Sequence, residues 1–500
     1  MDLLGNLALG LSVAVEPWNL FYCFIGALLG TLIGVLPGIG PAATIAMLLP
    51  VTFSLDPSSS LIMLAGIYYG AQYGGSTTAI LINLPGESSA TVTAIDGYQM
   101  ARKGRAGAAL AIAAIGSFIA GSLTTFVVAA FAAPLTNVAL RFGAADYFSL
   151  IVVGLFAAVA LARGSVLKAL AMMAFGVLLG LIGSDIETGA ARFTFNLLPL
   201  YDGLDFVAMA VGLFGISEIL RNLEHKETRS VLVGHVSGLM PTREDMRRSI
   251  GPILRGAGIG SLLGVLPGGG ALLSSFASYA IERKLSKSPE EFGHGAIEGV
   301  AGPESANNAG AQASFIPMLT LGIPSNALMA LMIGAMIIQG IVPGPSVIVR
   351  QPELFWGVIA SMWIGNLMLI VLNLPLIGIW VRLLQVPYHV LFPAIMAFSA
   401  IGVFSFQLSP FSLYTMAFFG ALGYLLSKLD CEPAPLLLGF ILGPLLEQYF
   451  RRAMKFSHGD PLVFVTEPIS ASLLALGVAM LIITVFPAIR RKREEVFVED

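Results

Sequence analysis

Long apolar runs separated by short polar joints fill most of the chain. Residues 107–133, 146–162, 204–220, 354–378, 389–408, 411–427 and 469–489 carry few charged side chains. Each approaches the roughly 17 to 25 residues that cross a bilayer as a helix, and with the shorter apolar segments included about a dozen crossings are expected. Pro and Gly interrupt the pattern within 30–82, 255–338 and 434–468. Broken or re-entrant helices are expected there in place of plain spans.

The interruptions repeat. Residues 30–40 read GTLIGVLPGIG and residues 260–270 read GSLLGVLPGGG. Proline lacks an amide hydrogen and clashes with the preceding turn, while glycine frees the backbone, so neither stretch can continue a helix. Pro37, Gly38 and Gly40 mark the first break, and Pro267, Gly268 and Gly270 the second. Irregular backbone at membrane depth survives only when buried in protein or lining a wet cavity, where its carbonyls could bind a cation. A packing kink is the plainer alternative. A second echo follows each break: Gly70-Ala71-Gln72 and Leu84-Pro85-Gly86-Glu87-Ser88, then Gly310-Ala311-Gln312 and Ile323-Pro324-Ser325-Asn326. Paired interruptions in two halves point to the binding site of a transporter built from inverted repeats.

Polar residues cluster after each break. Gln72, Ser76, Thr77, Thr78 and Asn83 follow the first, and Glu304, Ser305, Asn307, Asn308, Gln312 and Ser314 the second. Such side chains either glue helices together or line a solvated site. Pro85-Gly86 and Pro324 read as the ends of one segment and the start of the next. A helix N-terminus carries partial positive charge and free amides, so it can hold a carboxylate without Lys or Arg. Ser88, Ser89, Ser325 and Asn326 are the expected ligands there, with Gln72, Thr77, Asn308 and Gln312 nearby; ordinary capping is the alternative. Glu87 and Glu304 are the nearest acids, read either as functional groups or as helix caps. Asp96 is assigned to a loop ahead of Arg102, Lys103 and Arg105.

Composition sets the class. The chain is 56% hydrophobic and 11% charged, with a mean hydropathy of +0.85, against about 25% charge in globular domains. This is an all-α polytopic membrane protein. The net charge of −3 says nothing about nucleic acid, and with no basic stripe of interleaved aromatics a nucleic-acid partner is not expected. Cys23 and Cys431 suggest neither a disulfide framework nor a thiolate metal site. His294 and Glu298 share a helix face but lack a second histidine nearby, so no metal is expected. No phosphate-binding Gly-Lys-Ser/Thr loop and no catalytic constellation occurs, so neither a cofactor nor enzymatic activity is expected.

Positive charge gives an orientation. No Lys or Arg precedes Arg102, and the Arg102–Arg105 cluster reads as cytoplasmic, which places the N-terminus outside. Alternation then puts 134–145 and 185–205 outside and 163–168 and 221–255 inside. The second break motif therefore starts from the side opposite to the first. Arg451, Arg452 and Lys455 fall outside against the rule, so either 434–447 forms a hairpin or the bias fails there. The expected organisation is an N-terminal segment at 1–17, a first transmembrane repeat at 18–220 and a cytoplasmic linker at 221–254. A second repeat follows at 255–449, then a final loop and helix at 450–489 and a cytoplasmic tail at 490–500. The start of the chain lacks the basic residues of a signal peptide.

The stretches GVLPGIGPA, YYGAQYGGSTTAILINLPGESSA, DGYQMARKGRAGAAL, PESANNAGAQASFIPMLTLGIPSNALMALMIGAM and GIVPGP closely resemble the large membrane subunit of the tripartite tricarboxylate transporters. The match runs over most of the chain. The resemblance implies a secondary transporter of the bacterial inner membrane, taking substrate from a periplasmic solute-binding protein and working with a small transmembrane subunit of about four helices. It also implies uptake of citrate or another organic carboxylate, driven by symport with a cation, Na⁺ or H⁺. A passive anion channel or pore is the alternative that the same broken helices would permit.

Overall fold

Prolines preset the first turn of many helices in this chain, because the amide a proline lacks has no partner there anyway. The computed structural model describes residues 3–36, 40–162, 165–185, 187–224, 238–266, 270–384 and 388–485. Helices α1 (Leu3–Ala14), α2 (Pro17–Val35), α3 (Pro41–Phe53), α4 (Pro57–Ile82), α5 (Thr91–Arg102), α6 (Ala106–Ala139), α7 (Ala144–Leu161) and α8 (Val166–Gly180) come first. A two-residue antiparallel ladder then pairs β1 (Gly183–Ser184) with β2 (Ala191–Arg192). Helix α9 (Phe206–Ala210) runs through a π-helical turn at Val211–Ile216 into α10 (Ser217–Glu224).

The second half begins with α11 (Arg243–Leu263), α12 (Gly270–Leu285), α13 (Glu298–Ala313), α14 (Phe315–Leu321) and α15 (Ala327–Ile338). After it come α16 (Val347–Arg350), α17 (Pro352–Asn373), α18 (Ile377–Leu383), α19 (Tyr388–Gln407), α20 (Pro410–Lys428), α21 (Pro433–Phe456), α22 (Val463–Thr466) and α23 (Pro468–Val485). Five segments among the described residues are long and apolar enough to cross a membrane: 17–35, 106–139, 206–224, 352–373 and 410–428. Among the described residues the regular structure is helical apart from the short ladder, and the chain is a multi-pass membrane protein.

Close backbone contact holds the two polar helices in place. Gly26, Gly30 and Gly34 of α2 lie against the carbonyls of Met63, Ile67 and Ala71 in α4. Gly256, Gly260 and Gly264 of α11 lie in the same way against Gly302, Ala306 and Gly310 in α13. Small residues every fourth position let helix backbones approach in lipid, where van der Waals packing replaces the hydrophobic effect. Both α4 and α13 are buried along nearly their whole length, as a helix without a polar outer face must be.

Both breaks form where the repeated motifs lie: α2 ends at Val35 and α3 begins at Pro41, and α11 ends at Leu263 before α12 begins at Gly270. Thr78 Oγ1 donates to the Gly75 carbonyl at 2.8 Å and also lies 3.4 Å from that of Gly34, and Ser314 Oγ donates to the Gly310 carbonyl at 2.8 Å and also lies 3.3 Å from that of Gly264. Each half thus places a hydroxyl near a carbonyl at its helix end.

Contacts sort the joints by end. Ser59 Oγ donates to Asn19 Oδ1 at 2.6 Å, tying the starts of α2 and α4, while Gln339 Nε2 donates to the carbonyl of Thr52 at 3.0 Å. In another group of joints, Arg105 pairs with Asp245, Lys103 Nζ donates to the carbonyl of His294, and Arg248 pairs with Glu291 and Glu298.

Two expectations need correction. Residues 434–447 form no hairpin; they lie within the single helix α21. Its charges are answered instead by the 183–192 ladder: Arg451 pairs with Asp185 (2.7 Å), Glu187 (3.3 Å) and Glu447 (2.5 Å), and Lys455 with Glu187 (2.8 Å). Asp96 belongs to α5, not to a loop, and is fully buried. Its carboxylate accepts from the amides of Gly293, Gly295 and Ala296 at 2.7–2.9 Å and from the Tyr279 hydroxyl at 3.0 Å, so it anchors the α12–α13 connection.

Candidate functional site

The two halves bring their interruptions to one cavity of about 350 Å³, within the range of about 300–1,000 Å³ usual for small-molecule sites. First-turn residues of four helices line it: Gly40 to Ala42 of α3, Gly270 to Leu272 of α12, Asn326 to Leu328 of α15 and Pro433 to Pro435 of α21. Glu87, Ser88 and Ser89 add the turn leading into α5, and Tyr68 and Gln72 come from α4. Helix N-termini carry about half a positive charge each. Among the described residues no Lys, Arg or His lines the cavity, but two acids do, Glu87 and Glu432.

Local sequence explains how these groups are held. After Ile82, Asn83 takes a left-handed conformation (φ 58°) that ends α4, and Pro85 follows. Gly86 then packs so tightly on the Gly34 carbonyl and Gly75 that a side chain has no room. In the second half Gly322 (φ 72°) ends α14, and Asn326 caps α15 by accepting from the Met329 amide at 2.9 Å. Asn326 Nδ2 also reaches the Tyr68 hydroxyl and Ser314 Oγ, each at 3.5 Å. Ser89 Oγ donates to Asn307 Oδ1 at 2.6 Å and lies 3.2 Å from Gln72 Oε1, while Asn307 Nδ2 donates weakly to Glu87 Oε1 at 3.4 Å. This network joins α4, the α5 turn and α13.

The model of the tripartite tricarboxylate transporter TctA family matches residues 20–438. The chain belongs to this family. It is 64% identical, over the full length of both chains, to an uncharacterized 52.8 kDa protein in the TAR-I ttuC' 3' region of Agrobacterium vitis. It is also 66% identical over 241 residues to an uncharacterized protein in the TAR-II ttuC' 3' region of Agrobacterium vitis, covering 48% of this chain and 100% of that one. No solved structure matches the chain. TctA-family proteins are transport subunits, so this is the large membrane subunit of a tripartite transporter.

Within this TctA-family subunit, the sequence-predicted ligands divide into three groups. Gln72, Ser88, Ser89 and Asn326 line the cavity, as do Gly40 and Gly270. Four others do not. Thr77 Oγ1 donates to the Tyr73 carbonyl at 3.3 Å, Asn308 Nδ2 to Ser117 Oγ at 2.7 Å, and Thr125 Oγ1 to Gln312 Oε1 at 2.5 Å, while Ser325 is buried with its hydroxyl unpartnered. Pro85, Gly86 and Pro324 shape the two turns without lining the cavity. Pro37, Gly38, Pro267 and Gly268 lie outside the described residues. Glu304 caps no helix end; it sits inside α13 with none of its surface exposed.

Sequence reasoning missed Tyr68 of α4, Ala158 and Ala162 at the end of α7, and Phe214 in the π-helical turn, all of which reach the cavity. It also missed the start of α21, although Glu432-Pro433-Ala434-Pro435 carries the helix-start signal of an early proline.

Proposed function

We propose that this chain is the translocation subunit that carries an organic carboxylate, tricarboxylates among them, across the bacterial inner membrane by symport with a cation. A periplasmic binding protein delivers the cargo, and a small transmembrane subunit completes the assembly. The observation that carries this reading is the shared cavity: Gly40 and Gly270, which flank the two breaks, and Ser88, Ser89 and Asn326, which follow the two proline turns, all line it, and four helix starts supply positive potential with no basic side chain among the described lining residues. Glu87 and Glu432 in the lining favour symport over a passive pore. An anion entering beside two carboxylates is better tolerated when it arrives with Na⁺ or H⁺.

We infer further that the halves are related by inverted topology, with the N-terminus periplasmic and the C-terminus cytoplasmic. The α2–α3 hairpin has its ends at the joint holding Thr52 and Gln339, whereas the α11–α12 hairpin has its ends among Arg105, Asp245, Arg248 and Glu291. Two hairpins entering from opposite ends, with their breaks at one cavity, are what alternating access requires.

The test is uptake of labelled citrate into proteoliposomes holding this subunit and its small partner, with the binding protein outside. Accumulation that needs both the binding protein and an imposed Na⁺ or proton gradient is expected. Equilibration without accumulation, independent of either gradient, means a pore. Uptake of other carboxylates with citrate excluded would correct the cargo and leave the mechanism standing.

A further inference from the structure

Apart from the main cavity, α13 buries a carboxyl group with no cation against it among the described residues. Glu304 is 0% exposed in α13, and its partners are hydroxyls and an amide. Ser76 Oγ of α4 lies 2.6 Å from Oε1 and Thr93 Oγ1 of α5 lies 2.8 Å from Oε2. Asn308 Nδ2 donates to Oε1 at 3.1 Å, with Ser117 Oγ of α6 at 3.4 Å. A carboxylate in such a place is strongly disfavoured unless it is paired, and in practice it takes up a proton.

The shortest of these contacts leaves a place for that proton. Ser76 Oγ is also 3.0 Å from the carbonyl of Gln72, which can only accept. One hydroxyl proton fully serves one acceptor. With that proton on the Gln72 carbonyl, the 2.6 Å contact is completed by a proton on Glu304. A metal cation fits poorly: both carboxyl oxygens are already in direct hydrogen-bond contact with hydroxyls, and the adjoining cavity is about 10 Å³, space for a single water.

We propose that Glu304 holds the coupling proton of the transport cycle, a role that rests on the symport reading above. The proton sits between Glu304 Oε1 and Ser76 Oγ. When α13 separates from α4 and α5 on one side of the membrane, it passes to water and leaves a carboxylate. On the other side water returns it, and the interface closes again. The site communicates with the cargo through Asn307, one turn along α13, which meets Ser89 and Glu87 at the main cavity. Other titratable groups face Glu304 from the packed elements. Tyr73 of α4 lines the same small cavity, and Glu87 lies on the loop before α5. Asp96 of α5 is satisfied by three amides and Tyr279, and Glu282 of α12 by Arg255. Helix α6 contributes no ionisable side chain.

Two readouts test the proposal on the reconstituted full chain. Infrared difference spectroscopy between wild type and Glu304→Gln at neutral pH should show a protonated carboxyl band lost in the variant. With the partner subunit and binding protein present, Glu304→Gln should retain carboxylate exchange but lose accumulation driven by a proton gradient, by tenfold or more. Ser76→Ala, which keeps the carboxyl, should shift the band without abolishing it, and serves if the first variant fails to fold. Absence of the band in wild type, or accumulation by Glu304→Gln equal to wild type, overturns the proposal, as does wild-type uptake driven by Na⁺ with the proton gradient collapsed. A wild type that moves no carboxylate overturns the symport reading and the coupling role with it, while the band still decides whether Glu304 holds a proton.

Discussion

Asn326 serves both as a helix cap and as a cavity wall, and one substitution can separate the two. Alanine would remove the cap, a loss of about 1 kcal/mol that blurs any functional reading. Asn326→Asp keeps an acceptor for the Met329 amide but places negative charge where a carboxylate would sit. Its thermal midpoint in detergent should stay near wild type while uptake falls about tenfold or more, the equivalent of roughly 1.4 kcal/mol of repulsion. Ser88→Ala, losing one hydrogen-bonding group worth about 1 kcal/mol, should reduce uptake several-fold. Unchanged transport in both would return these residues to capping and turn formation. Away from the cavity, the amides of Thr188 and Glu187, with Arg451, hold the Asp185 carboxyl down at about 2, against about 3.9 in an unfolded chain. A depressed value means that the anchoring is complete above the unfolded value and fades as pH falls toward 2. Hydrogen exchange should therefore find the Glu187 and Thr188 amides protected at pH 4 and released near pH 2, with protection absent at both in Asp185→Asn. Release already complete at pH 4 in wild type would contradict the anchoring.

Among elements, the helix pairs α2 with α4 and α11 with α13 depend on missing side chains. A Cβ at Gly260 would meet the Ala306 carbonyl and the Ala309 methyl, whereas one at Gly258, half a turn away, meets nothing within 4 Å. Gly260→Val should lower the thermal midpoint and the monodisperse yield, since overpacking costs about 1–3 kcal/mol, while Gly258→Val leaves both near wild type. Equal behaviour of the two variants would mean that α11 does not pack as described. This spacing of glycines by four was legible in the sequence and went unread, because the proline-glycine breaks beside it are the louder signal. Helices do end and restart around both motifs, as expected of a proline that lacks an amide hydrogen and clashes with the preceding turn. Asp96 was misplaced for a different reason: its partners are amides about two hundred positions downstream, and nothing local announces them. The 434–447 segment misled because its cations were read without the acids of the 183–192 ladder that answer them. Half of the predicted ligands reach the cavity; of the rest, Asn308 and Gln312 bind α13 to α6, while Thr77 bonds within its own helix. The two uses of a buried hydroxyl or amide look alike until the partner helix is known.

For the whole molecule the decisive question is whether the two hairpins enter from opposite faces of the membrane. The contacts already divide the joints, with Leu55 and Gly340 near one pair of hairpin ends and Lys103 and Ser286 near the other. Single cysteines at these four positions can be labelled with a membrane-impermeant thiol reagent in a Cys431→Ser background; the other native thiol, Cys23, is buried. In right-side-out spheroplasts Leu55→Cys and Gly340→Cys should label, and in inside-out vesicles Lys103→Cys and Ser286→Cys should. Positive charge argues for that orientation, since Arg102, Lys103 and Arg105 mark the cytoplasmic side. Arg451 and Lys455 run against it even though Asp185 and Glu187 pair with them, because the bias counts Lys and Arg and acids contribute little. If all four positions labelled from one side, both hairpins would enter from the same face and the inverted relation would be lost. The shared cavity would then have to open and close by motion within each half rather than by exchange between the two.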